Sequence, residues 1–589
     1  MKKKIKRATA CVCMATVCLP LVSCSISTSE NKKVDKEKEQ KAFEDFTDEL
    51  FKEEVQSDSI TLNYTVANPE NYGVTDFTPT MGKFGVEADK EAIAKAENIN
   101  KKLDEFEYKA LTEDQQLTYD LLRDSYEVKG DEEDFFLYAE ALGNTTGVQA
   151  QLPILLSEYH VEDKDDLDDY MELLLTVDDY FAQIEEFEQQ KSDAGLFMSD
   201  RNADNIISQC EDFIKKPNKN LLITIFNDRV DSYDWLTEAE KKTYKKQNAK
   251  EVKEAVIPAY KNLIQKLKDL KGTGKKDGGV GNLPDGKKYY EDLAQSISGS
   301  DKTVEEMKKA LDVTMQQCAT KLMLLLNSDS SLEEAYTNME FPMTDPNEIL
   351  EYLTEEVKKD FPDLGDINYE VKYVDKSLED HVSPAFYLTP QLDHYTDNSI
   401  YINGAKDNDL SKIFPTLAHE GYPGHLLQNV YFTEQQPSPI RALLNYGGYS
   451  EGWATYCEMY SYDIAGLKGK LGDFAKQYQI FNLCLYAKID IGVNYDCWSE
   501  EDLAAFLKDY GVVDKEVTAQ AFDIVVDDPA NYLQYVIGYI EFEELRTEAE
   551  KELGDKFDAK KFHTFLLDIG AAPFSIIEDR MKDWIKEQK

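Results

Sequence analysis

The sequence is poor in histidine, cysteine and positive charge. Its 589 residues include 6 histidines and 9 cysteines, and 66 basic residues stand against 114 acidic ones, for a net charge of −48. Such acidity argues against nucleic acid or an anionic membrane surface as a partner, because both repel negative charge. The cysteines after Cys24 show no CxxC spacing, so neither a disulfide framework nor a cysteine zinc site is predicted. A pairing of Cys484 with Cys497 is left open.

The sequence also lacks an apolar run long enough to span a membrane. The short apolar stretch near its start follows a basic segment and precedes Leu21-Val22-Ser23-Cys24, which predicts a lipoprotein signal over residues 1–23 and a lipid on Cys24. Residues 24–43, rich in serine and charge, predict a flexible tether. The mature chain is expected in the cell envelope, anchored by this lipid to the outer face of a bacterial membrane. An ordinary secretory signal cut near Ser23 is the alternative.

No fixed-period repeat or coiled-coil heptad is present, and most of the chain has the pattern of amphipathic helix. Leu167–Leu175 and Val304–Leu311 are examples. The main break is the glycine-rich stretch 271–286, which lacks the residue order of a phosphate-binding loop. It predicts a connection between two lobes, 44–270 and 287–589, of a single domain.

Two of the six histidines stand in one heptapeptide, His419-Glu-Gly-Tyr-Pro-Gly-His425. Imidazoles are common zinc ligands, and the adjacent Glu420 can take a proton from water activated by a metal. On a regular helix, residues six apart point about 120° away from each other and cannot bind one ion. Pro423 and Gly424, however, permit a break that returns His425 to the side of His419. The alternative is a helix end with two incidental histidines.

A catalytic zinc ion usually has three protein ligands and one open position. Glu451 is the predicted third ligand for a single Zn²⁺ per chain, on a helix capped by Ser450. Glu458 follows two helical turns later on the same face, about 10.5 Å away, so it is predicted to lie outside the ligand set or in solvent. Cys457 is predicted to be a small buried residue.

The two motifs together, His-Glu-x-x-Pro-Gly-His and Glu-Gly-Trp-Ala-x-Tyr, resemble the DUF885 family of bacterial zinc peptidase-like proteins. That family is distantly similar to helical zinc peptidases of the thermostable carboxypeptidase and angiotensin-converting type. The resemblance implies a mainly α, large two-lobed helical metallopeptidase-like fold with a small β-sheet beside the metal helix. It extends from about residue 140 to the end and includes the segments Gly147–Pro153, Gly286–Tyr290, Ser383–Tyr387, Ser399–Asn403, Gly538, Arg546, Phe562-His563 and Gly570–Pro573.

The resemblance implies peptide hydrolysis, with His419, His425 and Glu451 as zinc ligands and Glu420 as the general base. Related helical peptidases supply one more donor to the oxyanion from far downstream. The candidates are Tyr535, Tyr539 and His563, and core packing is the alternative for each.

Two further features are predicted to contact substrate. Arg546 is a candidate to grip a substrate carboxylate through its planar guanidinium, unless it pairs with a glutamate. Ser399–Asn403, with Tyr369–Val374, has the composition of a short strand. It precedes the metal helix, predicted to begin near Pro415. In zinc peptidases an edge strand at this place pairs with extended substrate, which assigns Tyr401 and Asn403 to binding. A purely structural sheet is the alternative.

The expected function is therefore a cell-surface zinc peptidase acting on short or unfolded peptides. A catalytically silent peptide-binding lipoprotein and a zinc amidase acting on cell-wall material are the alternatives. The intact Glu420 favours an enzyme over a silent binder, whereas no feature separates peptidase from amidase. His160, His381 and His394 lie outside any motif and are expected to be structural. The oligomeric state is left open.

Overall fold

The computed structural model describes residues 35–589 except 131, 145, 275–277, 366, 375, 377–378, 380–382 and 406–407. Helices dominate this part of the chain, as predicted. They are α1 Lys36–Val55, α2 Ser59–Thr65, α3 Val86–Leu103, α4 Glu113–Ser125, α5 Val148–Ser157, α6 Lys164–Ala194, α7 Asp200–Ile214, α8 Leu221–Ser232, α9 Glu238–Glu251, α10 Ile257–Leu270, α11 Gly286–Ser298, α12 Val304–Ser328, α13 Leu332–Thr337, α14 Pro346–Glu356, α15 Phe414–Glu420, α16 His425–Glu434, α17 Gly447–Ile464, α18 Leu471–Asn494, α19 Glu500–Lys508, α20 Lys515–Asp527, α21 Asn531–Leu553, α22 Ala559–Ile569 and α23 Phe574–Gln588. Within the described residues, none of these helices has the length and apolarity needed to cross a membrane.

The first helix corrects the predicted tether. α1 begins at Lys36, so the last eight residues of the segment 24–43 are helical. The reason is that Phe43 begins an apolar face, continued by Leu50, Phe51 and Val55, and all four side chains are buried. Residues 1–34, including the signal and Cys24, lie outside the described residues.

A small sheet lies ahead of α15 in the sequence, as predicted, and it has three strands. Its strands are β1 Asn368–Tyr373, β2 Ala385–Leu388 and β3 Asp397–Ile402. The order is β1-β3-β2, with β1 parallel and β2 antiparallel to β3. The prediction of Ser399–Asn403 as an edge strand was wrong, because β3 is paired on both sides and has no free edge for substrate. The edge strands are β1 and β2, and β2 was missed.

Two large hydrophobic cores divide the chain differently from the predicted lobes. One core contains buried residues of 141–270 together with Val374 and Tyr401. The other joins buried residues of 43–122 to those of 280–585. The predicted boundary near 271–286 therefore marks where the chain leaves the first core, but the N-terminal helices α1–α4 pack with the C-terminal half. Sequence periodicity shows which face of these helices is apolar and not which core that face enters.

Candidate metal centre

The helix that carries the two motif histidines is interrupted, as the Pro423–Gly424 pair predicts. α15 ends at Glu420 and α16 begins at His425. Between them the Gly424 N–H donates to the carbonyl of Ala418, six residues back, over 3.0 Å. A Cβ atom on Gly424 would lie 1.8 Å from the carbonyl oxygen of His419, so only glycine fits at this point.

The interruption brings both histidines to Glu451 of α17. The Nε2 atoms of His419 and His425 lie 3.4 Å and 3.6 Å from the same oxygen, Oε2, of Glu451. The potential ligand atoms of these three residues all lie within 4.8 Å of one another. In the described part of the chain, no other histidine, cysteine or acidic side chains form such a group. Two imidazole nitrogens and one carboxylate oxygen are the donor set of a catalytic zinc site, so the residues present fit the predicted metal.

Glu458 contacts the opposite side of the first histidine. One of its carboxylate oxygens lies 3.6 Å from Nδ1 of His419, and the other accepts a hydrogen bond of 3.3 Å from Gln479. A carboxylate at the second ring nitrogen orients a ligating imidazole and fixes which nitrogen faces the metal. The two glutamates thus have different positions, as predicted. Glu451 faces Nε2 of both histidines, whereas Glu458 faces Nδ1 of His419. The prediction that Ser450 caps the helix was wrong, because α17 begins at Gly447 and includes Ser450 in its first turn.

Opposite charges face each other in this cluster. Burial would lower the pKa of His419, but the adjacent carboxylates of Glu451 and Glu458 raise it well above its ordinary value. Burial would likewise raise the pKa of Glu451, but the adjacent imidazoles of His419 and His425 hold it well below the usual range. Glu451 is therefore an anion in this arrangement, which suits a residue that binds a cation.

Glu420 is fixed by the sheet. The backbone N–H of Tyr387, on β2, donates to Oε2 of Glu420 over 2.9 Å. Burial raises the pKa of Glu420, and this effect is opposed by the neighbouring histidines and by the Tyr387 hydrogen bond. Tyr387 is a site residue that the sequence interpretation missed. The signal was the segment Ser383–Tyr387, but a four-residue strand after a proline is too short to identify from its pattern.

The two candidate tyrosines on α21 lie in different surroundings. The pKa of Tyr535 is raised by burial and then by the negative charges of Glu451 and Glu420, so its hydroxyl lies within electrostatic range of the cluster. The pKa of Tyr539 is raised by burial and then by Glu543. Tyr539 lines a separate cavity of about 940 Å³ beside α12 and α18. The structure therefore brings Tyr535, and not Tyr539, to the candidate centre.

The position of Tyr535 depends on a close approach of α21 to α17. A Cβ atom on Gly538 would lie 2.1 Å from the carbonyl oxygen of Gly448, and one on Gly452 would lie 2.5 Å from the carbonyl carbon of Gly538. Glycines at the crossing remove the side chains that would hold the two helices apart. Tyr535, one turn before Gly538, is thus carried toward Glu451.

His563 and Arg546 belong to a chain of hydrogen bonds that runs from the Asp360 carbonyl to Glu550. Nδ1 of His563 donates to the carbonyl of Asp360 over 2.6 Å, so Nε2 accepts from the Tyr456 hydroxyl at 2.9 Å. Arg546 donates to that hydroxyl over 2.6 Å and to Glu550 over 2.8 Å. Burial lowers the pKa of His563 to about 4, so this ring is neutral. Among the contacts of the described residues, none joins either side chain to the three candidate ligands.

The two residues predicted to contact substrate, Tyr401 and Asn403, instead make contacts within the protein. The Tyr401 hydroxyl donates to Glu158 over 2.7 Å, and its ring stacks on Phe386 at 4.9 Å. The buried Asn403 donates through its amide to the carbonyl of Glu379 over 2.8 Å. Tyr401 lies on the central strand and Asn403 directly follows it, which explains why neither is on the sheet edge that faces Glu420.

The other histidines and cysteines of the described residues lie outside the centre. His394 sits between Glu162 and Asp397, at 3.2 Å and 3.0 Å, and the ring of His160 packs edge-on against Tyr64. His381 lies outside the described residues. Cys484 and Cys497 are free thiols, and Cys457 is buried as predicted.

A family model for bacterial proteins of unknown function, DUF885, matches residues 70–581. The chain belongs to the DUF885 family. No curated protein matches it. Two solved structures have a fold similar to that of this chain. Each match covers 93% of this chain and 99% of the solved chain. One, a candidate lipoprotein from Colwellia psychrerythraea, has a TM-score of 0.81 at 17% identity. The other, a candidate lipoprotein of unknown function from Shewanella oneidensis, has a TM-score of 0.61 at 18% identity.

Proposed function

We propose that this protein is a zinc-dependent peptidase of the cell envelope that hydrolyses short or unfolded peptides. The observation that carries the proposal is the convergence of His419, His425 and Glu451 beside Glu420, a carboxylate held in place by β2. A structural zinc site closes its coordination with four protein ligands, whereas three ligands with a carboxylate base alongside are typical of hydrolytic sites.

The three ligands would hold the ion through Nε2 of His419, Nε2 of His425 and the carboxylate of Glu451. A zinc ion bound there would supply a Lewis acid, which would polarise a peptide carbonyl and promote ionisation of a water molecule. Glu458, at Nδ1 of His419, keeps that ring oriented toward the centre.

Glu420 is the residue that moves the proton. Its hydrogen bond to the Tyr387 N–H uses one carboxylate oxygen, Oε2, and thereby fixes the plane of the carboxylate. The second oxygen takes a proton from the attacking water and returns it to the amine nitrogen of the leaving peptide. Tyr535 completes the set, because a hydroxyl near Glu451 and Glu420 can donate to the oxyanion that develops on the substrate carbonyl.

The outer edge of β2 is the proposed substrate-binding edge, in place of β3. The Asn403 N–H donates to the carbonyl of Pro384, so residues 384, 386 and 388 direct their backbone groups toward β3. Ala385 and Tyr387 therefore direct theirs outward, and the Tyr387 N–H reaches Glu420 on this side. An extended peptide pairing here would lie alongside the base.

The envelope location is also a proposal for this chain. It rests on the sequence around Cys24 and on the two structurally similar proteins, both described as candidate lipoproteins. Metabolic labelling with a palmitate analogue tests it. Labelling of the full-length wild type and not of Cys24→Ser is expected, and equal labelling of both contradicts a lipid on Cys24.

The decisive experiment measures metal and cleavage in a soluble form that begins after residue 24. Elemental mass spectrometry should find about one zinc per chain in the wild type, a loss in His425→Ala, and no change in His394→Ala. A fluorogenic peptide library should then be cleaved by the wild type and by His394→Ala only. Absence of zinc after reconstitution would overturn the metal centre, and zinc without cleavage of any peptide would overturn the peptidase assignment.

A further inference from the structure

The break between α15 and α16 leaves one buried carbonyl outside the helical hydrogen-bond pattern. In a regular helix the carbonyl of Pro423 would accept from the N–H of Leu427. Here the Leu427 N–H points instead to the carbonyl of Gly421, at 3.4 Å. The irregular segment that returns His425 to the centre therefore exposes a backbone acceptor in the protein interior, where an unpaired carbonyl is unfavourable.

Two side chains of α17 satisfy this carbonyl. The indole N–H of Trp453 donates to the Pro423 oxygen over 3.0 Å. The thiol of Cys457, one turn further along the helix, lies 3.4 Å from the same oxygen. Both side chains are fully buried. The indole is the stronger donor, because a thiol forms only weak hydrogen bonds.

Aromatic rings surround Trp453. Its ring meets Phe361 and Phe542 at large angles, with centroids 5.9 Å and 5.8 Å away, and it meets His563 edge-on at 5.9 Å. His563 is itself fixed at both ring nitrogens, by Asp360 and Tyr456. The hydrogen bond to Pro423 thus starts from a ring packed on several sides.

Two successive turns of α17 carry the candidate metal ligand Glu451 and the two donors to the Pro423 carbonyl, Trp453 and Cys457. Glu451 precedes Trp453 by two residues, and Glu458 follows Cys457 directly. α17 therefore contacts His419 through its two glutamates and the Pro423 carbonyl through Trp453 and Cys457. His425 lies two residues after Pro423. The hydrogen bond to the Pro423 carbonyl therefore fixes the backbone from which the His425 side chain extends.

We infer that Trp453 is a positioning residue for the metal centre, holding the Pro423 carbonyl so that His425 stays beside His419 and Glu451. The effect on metal binding rests on the proposed function. The support of the Pro423 carbonyl by Trp453 rests on the backbone geometry alone. It also explains why the two sequence motifs occur together. The second motif supplies the candidate ligand Glu451 and also Trp453, which supports the backbone of the first motif.

The test replaces Trp453 by Phe, which retains an aromatic ring and removes the N–H. Three measurements on the whole soluble chain follow: zinc affinity by competition with a chelator, the absorption spectrum of the cobalt(II)-loaded protein, and hydrogen exchange of residues 418–430 without metal. Trp498→Phe is the matched control, because Trp498 packs against Gly492 and Phe506, outside the centre.

Zinc affinity of Trp453→Phe should fall about 10- to 100-fold, the usual effect of losing a residue that supports a metal ligand. Its cobalt spectrum should change and exchange in 418–430 should accelerate, while Trp498→Phe resembles the wild type. Equal affinity and equal exchange in the two variants would overturn the inference. If Trp453→Phe does not fold, Cys457→Ala is expected to show a smaller loss in the same direction, and no loss overturns it. A wild type that binds no zinc contradicts the proposed function, whereas the exchange comparison still decides the role of Trp453.

Discussion

The imidazole rings of His419 and His425 stand nearly perpendicular, at 84°, with their centroids 4.9 Å apart. Six residues separate them in sequence, a spacing that would direct them apart on an unbroken helix. Their proximity is a consequence of the break at Pro423–Gly424, and it places both Nε2 atoms at one carboxylate oxygen of Glu451.

The two glutamates of α17 should differ in their effect on metal binding. Glu451→Ala removes a ligand and should abolish stoichiometric zinc, as measured by elemental analysis after dialysis. Glu458→Ala removes only the contact to Nδ1 of His419 and should weaken affinity about 10- to 100-fold. If Glu458→Ala lost the metal and Glu451→Ala kept it, the two roles would have to be exchanged.

Glu420→Gln should retain zinc and lose turnover. The amide still accepts the Tyr387 N–H but cannot take a proton, so kcat on a cleaved peptide should fall by about 10²- to 10⁴-fold. Glu434→Gln is the control, because Glu434 lies at the end of α16 and accepts from the Gly365 N–H at 3.1 Å. Turnover close to wild type in Glu420→Gln would remove Glu420 from the role of general base.

The tyrosines of α21 offer a matched pair. Tyr535→Phe should lower kcat about 10²- to 10³-fold with little change in KM, because the hydroxyl would act on the developing oxyanion. Tyr539→Phe should leave kcat within about three-fold, since that side chain lines a different cavity. Steady-state kinetics of both variants decide the matter, and equal losses would place the effect in the packing of α21.

The helical architecture and the return of His425 to the side of His419 could be predicted from the sequence because both depend on local signals. Amphipathic periodicity identified segments of α6 and α12, and the proline-glycine pair showed how His425 could return to His419. These features follow from residues within a few turns of one another.

The parts that could not be predicted depend on contacts between distant segments. The sequence pattern does not distinguish Tyr535 from Tyr539, because both lie on one face of α21. Only the crossing of α21 over α17 distinguishes them. The edge of the sheet was assigned to β3 because strand order depends on pairing with β1 and β2, which no local pattern reports. The N-terminal helices join the C-terminal core for the same reason.

The glycine crossing can be tested directly. Gly538→Ala would bring a methyl group against the carbonyl oxygen of Gly448, at a separation of 2.1 Å before any shift. Relaxation of α21 should cost about 1–3 kcal/mol of unfolding free energy and should reduce turnover by displacing Tyr535. Gly130→Ala, where no atom lies within 4 Å, should be neutral or slightly stabilising in the same chemical denaturation experiment. Equal stability of the two variants would contradict a close approach of the helices.

Asp490 should make stability depend on pH. Burial raises its pKa from 3.8 to about 7, although the Ala530 N–H, the Tyr290 hydroxyl and the Asn494 amide all donate to its Oδ1. Because the folded pKa exceeds the unfolded one, the native state binds more protons between about pH 4 and 7. The contribution of Asp490 to stability is therefore present below the unfolded pKa and is lost as the pH rises toward 7, by up to about 4 kcal/mol.

Replacing Asp490 by Asn removes this titration while preserving an oxygen acceptor for the three donors. The difference in unfolding free energy, Asp490→Asn minus wild type, should increase from pH 4.5 to pH 7.5, because only the wild type loses the Asp490 contribution. The change with pH is the test, whatever the sign of the difference at either pH. Other buried acids, such as Asp527 with a pKa raised by burial to about 7, contribute equally to both proteins and cancel in the difference. Parallel stability curves over this range would show that Asp490 has the same proton affinity in the folded and unfolded chains, and that its burial among Tyr290, Asn494 and Ala530 does not control its ionisation.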